Sequence, residues 1–259
     1  ASACGKKGRS TEYNLYKDTM DSSGFLLHPE LAKAIDRLGT VRTMVGHCHA
    51  ATHGSVTKEN AHPYHCGHLI GAHNGTIQAL APDRGQPGTD SLELYRRIAT
   101  DGLDATIRDI HYGAFALTWI DTSNNTVNLL RNEQRELWVM RHTVSRTIYW
   151  ASEKLFLTFM RDREKLAIDD SDIILLKPFI LHTINIGSIE AQTREIERPN
   201  PAVRTTPAIA ACRSPWNSWE NELEEPSKPT KSAMESASVL MPESREDYDK
   251  IIRSLDEDI

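Results

Sequence analysis

The amino-acid sequence predicts an α+β fold in which two sheets stack and helices lie outside them. Three observations carry that prediction. Strand-like segments come first, two amphipathic helices follow, and six further strand-like segments then run one after another with polar turns between them. This order argues against alternating βαβ units, in which each strand would be followed by its own crossover helix. The length of 259 residues suits one domain of about 200 residues followed by a tail.

Along the chain, residues 1–18 are polar and read as irregular. Glu30 to Leu38 places Leu31, Ala34, Ile35 and Leu38 at helical spacing and stops at Gly39. Thr43 to Ala50 reads as a strand, which would send Val45, His47 and His49 to one face and Cys48 to the other. Leu69 to Ala72 reads as a second strand. Thr89 or Asp90 caps a helix whose apolar face is Leu92, Leu94, Tyr95 and Ile98, and Leu103 to Ile110 gives a shorter helix. The later strands are Ala114 to Trp119, Thr126 to Leu130, Leu137 to Met140, Thr147 to Trp150, Ile173 to Leu176 and Phe179 to Ile186. Residues 1–199 therefore form the expected domain. Beyond it, Pro201, Pro207, Pro215, Pro226, Pro229 and Pro242, set among Ser, Thr and Glu, cannot support a packed core. Residues 200–259 are expected to be a mostly disordered tail. Tyr248, Ile251, Ile252 and Leu255 give it a short helix-like spacing near 244–255.

A net charge of −6 offers no basic surface, which argues against nucleic acid as a partner. No apolar run approaches the roughly 20 residues needed to span a bilayer, and the opening residues lack the apolar segment of a signal peptide. A cytoplasmic protein with no membrane partner is expected. Cys4, Cys48, Cys66 and Cys212 are too few and too scattered for a disulfide framework, so reduced thiols are the default.

The chemistry is concentrated between Gly46 and Ile77, which hold seven of the eleven histidines. The segments are Gly46-His47-Cys48-His49-Ala50-Ala51-Thr52-His53-Gly54, then Asn60-Ala61-His62-Pro63, then His73-Asn74-Gly75-Thr76-Ile77. Asp21-Ser22-Ser23-Gly24 precedes them and Thr89-Asp90-Ser91 follows, with Gly113 to Leu117 and Trp150-Ala151-Ser152-Glu153 further on. Histidine density alone raises the idea of a zinc site built from His49 and His53, His62 and His65, or Cys66 and His68. The chain has neither a C-x2-C knuckle nor an H-E-x-x-H helix, and no metal or other cofactor is expected.

In order and spacing these segments resemble the glutamine-binding core of the class II glutamine amidotransferases, the N-terminal-nucleophile type that hydrolyses glutamine and passes on ammonia. The resemblance covers about residues 21 to 160 and implies a four-layer αββα sandwich. It implies that the Asn74 side-chain amide and the Gly75 N–H form an oxyanion hole, although Asn-Gly is also an ordinary turn. It implies that Thr52 and His53 line the pocket, and that Asp90 pairs with the substrate α-ammonium, a role Asp90 can combine with helix capping. His49 stands where the family has the arginine that binds the α-carboxylate, and histidine is shorter and only partly charged near neutral pH. The nucleophile would be Cys4, since Cys4-Gly5-Lys6-Lys7-Gly8 fits a C-G-x-x-G skeleton, although Lys6-Lys7 replaces an apolar pair. In the family that cysteine is residue one and its α-amine is the base, whereas Ala1-Ser2-Ala3 precede Cys4. Three readings stay open: these residues are removed, the natural N-terminus lies elsewhere, or the nucleophile is lost. The resemblance implies a glutaminase whose ammonia is used by a separate synthase or acceptor-site protein. The other class of function is an inactive relative kept as a binding or assembly module.

Overall fold

The computed structural model describes residues 2–7, 10–48, 56–81 and 88–199, with side chains from residue 12 onward. The tail expected over 200–259 lies outside them. Strands β1 (Ser2–Lys7) and β2 (Ser10–Leu15) open the chain, followed by helices α1 (Ser22–Leu26) and α2 (Pro29–Arg37) and strand β3 (Thr40–Val45). Strands β4 (Tyr64–Cys66) and β5 (Leu69–Thr76) lead to α3 (Asp90–Asp101) and α4 (Leu103–Arg108). Strands β6 (Ala114–Asp121), β7 (Thr126–Arg131), β8 (Trp138–His142) and β9 (Thr147–Ala151) come next, then α5 (Lys154–Arg163). Strands β10 (Ile173–Leu175), β11 (Ile180–Asn185) and β12 (Ala191–Glu195) complete the described part.

All strand pairs are antiparallel, and the class is mixed α and β. The strands expected to form two sheets are divided among three: a six-stranded sheet in the order β12-β11-β7-β6-β5-β4, and two three-stranded sheets, β2-β1-β3 and β10-β8-β9. Residues 2–7 and 10–15, within the stretch 1–18 expected to be irregular, form two paired strands, with β1 at the centre of its sheet. Main-chain pairing to both β2 and β3 supplies there what apolar patterning does not. The strand expected at Thr43 to Ala50 begins earlier, at Thr40, and ends at Val45, because its first half is paired to β1.

Side-chain alternation on the large sheet separates two cores. Leu69 of β5 and Phe115, Leu117 and Trp119 of β6 pack with Leu94, Tyr95 and Ile98 of α3 and Ile107 of α4. The intervening Ile70, Ala72, Ala116 and Ile120 face the other way, packing with Val45, Tyr13, Val139, Ile148 and Trp150 of the small sheets. A third cluster joins Met140 and Ile173 to Leu157 of α5.

Two local devices seat α3. Its N-cap is Thr89, whose Oγ1 accepts from the Leu92 amide at 3.1 Å. One turn later the Tyr95 ring, fully buried, lies over Gly71 of β5, where an added Cβ would stand 2.3 Å from Cε1 and Cζ. The Tyr95 hydroxyl donates toward the Ala72 and Thr118 carbonyls, at 2.7 and 3.2 Å. Gly71→Ala should therefore destabilise the protein by about 2–3 kcal/mol through overpacking, read as a lower denaturant midpoint with an unchanged slope.

Candidate active-site cleft

Strand β5 does not end at Ala72 as the apolar run suggests. It continues through His73-Asn74-Gly75-Thr76, each residue paired to β6, from His73 opposite Leu117 to Thr76 opposite Ala114. The same alternation that sorts the core sorts this segment. The His73 ring turns toward α3, while Asn74 follows Ile70 and Ala72 onto the face toward the small sheets. There it borders an open cleft also lined by His47, Cys48, Asn60, His62 and Gly75. Gly75 has φ +141°, and a Cβ on it would sit 1.8 Å from the Ala114 carbonyl oxygen, so no other residue fits.

The N-terminus of α3 ties this segment in place through three consecutive side chains. The Asp90 Oδ2 accepts from the Ile77 amide at 2.7 Å, and Oδ1 accepts from the Ser91 amide at 2.8 Å. The Ser91 Oγ lies 2.9 Å from His73 Nδ1 and 3.3 Å from Asp90 Oδ1. His73 Nε2 is 3.2 Å from the Ala114 carbonyl, which can only accept, so this nitrogen carries a hydrogen. Thr89 Oγ1 donates to the Tyr64 hydroxyl (2.8 Å), which donates onward to the Asn60 carbonyl (2.7 Å). Burial raises the Tyr64 phenol above its ordinary range, keeping it a neutral link. The Lys17 ammonium lies 4.9 Å from the Tyr64 ring centroid, and burial lowers its pKa.

The Asn-Ala-His-Pro segment reaches the cleft through His62, which is buried with its ring edge-on to His47 (centroids 4.2 Å apart) and to Tyr64 (5.0 Å). In Asp21-Ser22-Ser23-Gly24, Asp21 caps α1 by accepting from the Gly24 amide at 2.8 Å, and both Asp21 and Ser22 border the cleft.

The structure brings together some of the residues expected from sequence. Asn74 and Gly75 lie at the cleft. Asp90 is adjacent to them through Ile77, but it does not border the cleft, and its oxygens face the main chain of β5 and its own helix. Thr89, not Asp90, is the helix cap. Cys48, expected outside the cavity, lines it, because the chain has left the strand at Val45 and the alternation no longer applies. Cys4 is a main-chain partner of Tyr13 and Thr43 in β1, next to an irregularity in register between Cys4 and Gly5. His49, Thr52 and His53 lie outside the described residues. Sequence reasoning assigned no role to His73, Ser91 or Tyr64. The signal lay in the Thr-Asp-Ser and His-Asn-Gly triplets, whose middle residues drew attention away from their neighbours. Among the described residues no three His, Cys, Asp or Glu side chains gather as a metal site.

No protein-family model matches the chain. Over 137 residues it is 31% identical to a glutamine–fructose-6-phosphate aminotransferase [isomerizing] of Streptococcus mutans serotype c, a match covering 40% of this chain and 23% of that protein. The chain thus spans less than a quarter of that relative's length. Among solved structures, it is similar to a glutamine aminotransferase class-II domain protein from Silicibacter pomeroyi, with 17% identity, a TM-score of 0.48, and 77% of this chain and 92% of that one covered. It is also similar to the allosteric regulatory enzyme of purine biosynthesis, with 17% identity, a TM-score of 0.45, and coverage of 76% and 42%. The motifs' resemblance to the class II glutamine amidotransferases agrees with the match to the Streptococcus mutans aminotransferase. No helix among the described residues is long and apolar enough to cross a membrane.

The two cysteines whose side chains are described differ sharply. Cys48 is exposed at the cleft, whereas Cys66 is buried, and burial pushes its thiol above the ordinary range. With a maleimide at neutral pH, peptide mapping should find Cys48 modified in the folded protein and Cys66 modified only after denaturation.

Proposed function

We propose that the chain hydrolyses glutamine to glutamate and ammonia in the cleft bordered by Asn74 and Gly75, the ammonia passing to an acceptor site on a separate partner protein. One observation carries this reading. An asparagine side chain and a backbone that admits no Cβ stand side by side at the cleft edge, the two kinds of donor that a tetrahedral oxyanion needs. The 31% match to a glutamine-using aminotransferase supports the same chemistry.

In this reading Cys4, once it is residue one, is the nucleophile. Its sulfur bonds the side-chain carbonyl carbon of glutamine, and its α-amine takes the thiol proton. The carbonyl oxygen becomes the oxyanion, held by the Asn74 amide and the Gly75 N–H. Collapse breaks the C–N bond while the α-ammonium returns its proton to the leaving nitrogen, so ammonia departs. Water then hydrolyses the thioester, releasing glutamate and restoring the thiol. His49 takes the α-carboxylate, Asp90 the α-ammonium, and Thr52 and His53 the walls. A reducing cytoplasm would keep the nucleophile a thiol. The reading includes a four-layer αββα sandwich over residues 1–199 and a disordered tail over 200–259. The succession of three apolar clusters from α3 to α5 supports the layers. A second reading, an inactive binding module, draws on one observation: the Cys4 nitrogen lies within a β-strand as a peptide amide, which cannot act as a base.

The two readings separate on a protein trimmed to begin at Cys4. It should release ammonia from glutamine and be inactivated by a glutamine-like alkylating agent, and Cys4→Ala should abolish both. Asn74→Ala should lower kcat on the order of 10²–10³ while the melting temperature holds. A folded, inactive Cys4-initiated protein would favour the binding module.

His49 gives a separate measurement. His49→Arg should tighten glutamine binding in calorimetry and remove the weakening expected as pH rises through the ordinary imidazole range near about 6.5, since a guanidinium stays charged throughout. Unchanged, pH-independent binding would rule out His49 as the carboxylate partner.

A further inference from the structure

We propose that Ser91 and His73 are positioning residues that hold the Asn74–Gly75 segment in the geometry an oxyanion hole requires; the proposal rests on the reading of those two residues as the oxyanion donors. His73 is among the residues that border the cleft, but its side chain is wholly covered. His73 projects from the face of β5 opposite Asn74, and both His73 and Ser91 are buried, at 1% and 3% exposure.

The argument turns on the Ala114 carbonyl. A Cβ on Gly75 would sit 1.8 Å from this oxygen, so a shift of the Ala114 carbonyl bears directly on the Gly75 main chain. His73 Nε2–H donates to that same oxygen at 3.2 Å. The flanking residues are fixed by Asn132, whose Nδ2 donates to the Gly113 carbonyl (2.7 Å) and whose Oδ1 accepts from the Phe115 amide (3.1 Å). At its other nitrogen the ring meets Ser91 Oγ, 2.9 Å from Nδ1, with Asp90 Oδ2 3.9 Å from the same atom. Ser91 has one hydroxyl proton to place between His73 Nδ1 and Asp90 Oδ1. In either arrangement its oxygen is the joint between ring and helix. Asp90 keeps its bonds to the Ile77 and Ser91 amides without the hydroxyl, so removing the Ser91 hydroxyl takes away the ring's hydrogen bond at Nδ1 and leaves the strap on the strand end intact. A displacement of about 1 Å in groups that act in the transition state costs up to about 10² in rate.

The test is Ser91→Ala in the Cys4-initiated protein, read by glutamine kinetics and by the NMR order parameter of the Gly75 N–H. We expect kcat to fall about 10–10²-fold with KM unchanged, because the interaction lost is one made in the transition state. The Gly75 order parameter should fall from about 0.85 toward about 0.6, and Ser91→Thr, which retains the hydroxyl, should restore both. Should Ser91→Ala fail to fold, His73→Gln, which can still donate to Ala114 but lacks a partner for Ser91, takes its place with the same expectations. An unchanged kcat with an unchanged Gly75 order parameter overturns the proposal. So does a fall in kcat accompanied by a matching rise in KM and a lowered melting temperature, which marks a merely structural role. If the Cys4-initiated parent itself releases no ammonia, the glutaminase reading fails separately. The order parameter then decides alone: a drop on Ser91→Ala supports the positioning role, and no change overturns it.

Discussion

The contact on which the rest depends is the Tyr95 ring against the bare backbone of Gly71. It brings α3 closer to the large sheet than any side chain at position 71 would permit, and the hydroxyl reaches carbonyls of two neighbouring strands. Because the helix is docked at that depth, its first turn lies level with the end of β5. Thr89, Asp90 and Ser91 then reach three different places: the Asn60–Tyr64 loop, the Ile77 amide and the His73 ring. A helix N-terminus usually satisfies its own first turn. Here that turn also fastens the edge of a cleft, so the apolar packing of Tyr95 and the polar geometry around Asn74 are one mechanical unit.

The opposite wall is built differently. The small sheet β2-β1-β3 meets the large sheet through Tyr13 and Val45, and its central strand carries Cys4. Ser2 and Ala3 pair on both sides, with Leu15 and Asn14 of β2 and with Val45 and Met44 of β3. A chain beginning at Cys4 would lose those pairings and keep the alignment of Cys4 with Tyr13 and Thr43, at the end of a paired strand.

Where the sequence was legible, one physical signal dominated locally. Leu94, Tyr95 and Ile98 mark the buried face of α3, and the near-continuous apolar run from Ala114 to Trp119 marks a strand buried on both sides. It was illegible where main-chain pairing replaced patterning. Residues 2–15 carry Lys6-Lys7 and little apolar signal, yet two partner strands order them. Helix α5 was missed because Leu155, Phe156 and Phe159 are exposed and blur its amphipathic period; only Leu157 is buried. The site motifs drew attention to Asn74 and Gly75, which border the cleft, but the strand that carries them runs past the end that the apolar residues suggest. What the motifs could not reveal was direction: Asp90 turns to the β5 main chain because the docking depth of α3, a tertiary property, decides what its first turn meets.

The glycines of this region differ in what opposes them, and that difference bears on how the sequence can drift. At Gly71 the obstacle is the Tyr95 side chain, so a larger residue there could in principle be accommodated by a smaller one at 95; the two positions can covary. At Gly75 the obstacle is the Ala114 carbonyl, and at Gly113 it is the Ile77 Cα and the Thr76 carbonyl, main-chain atoms that every amino acid carries. No second substitution removes them. Divergence can therefore rework the helix-to-sheet contact by paired exchanges, while at the meeting of β5 and β6 beside the cleft a change of either glycine forces the main chain itself to shift.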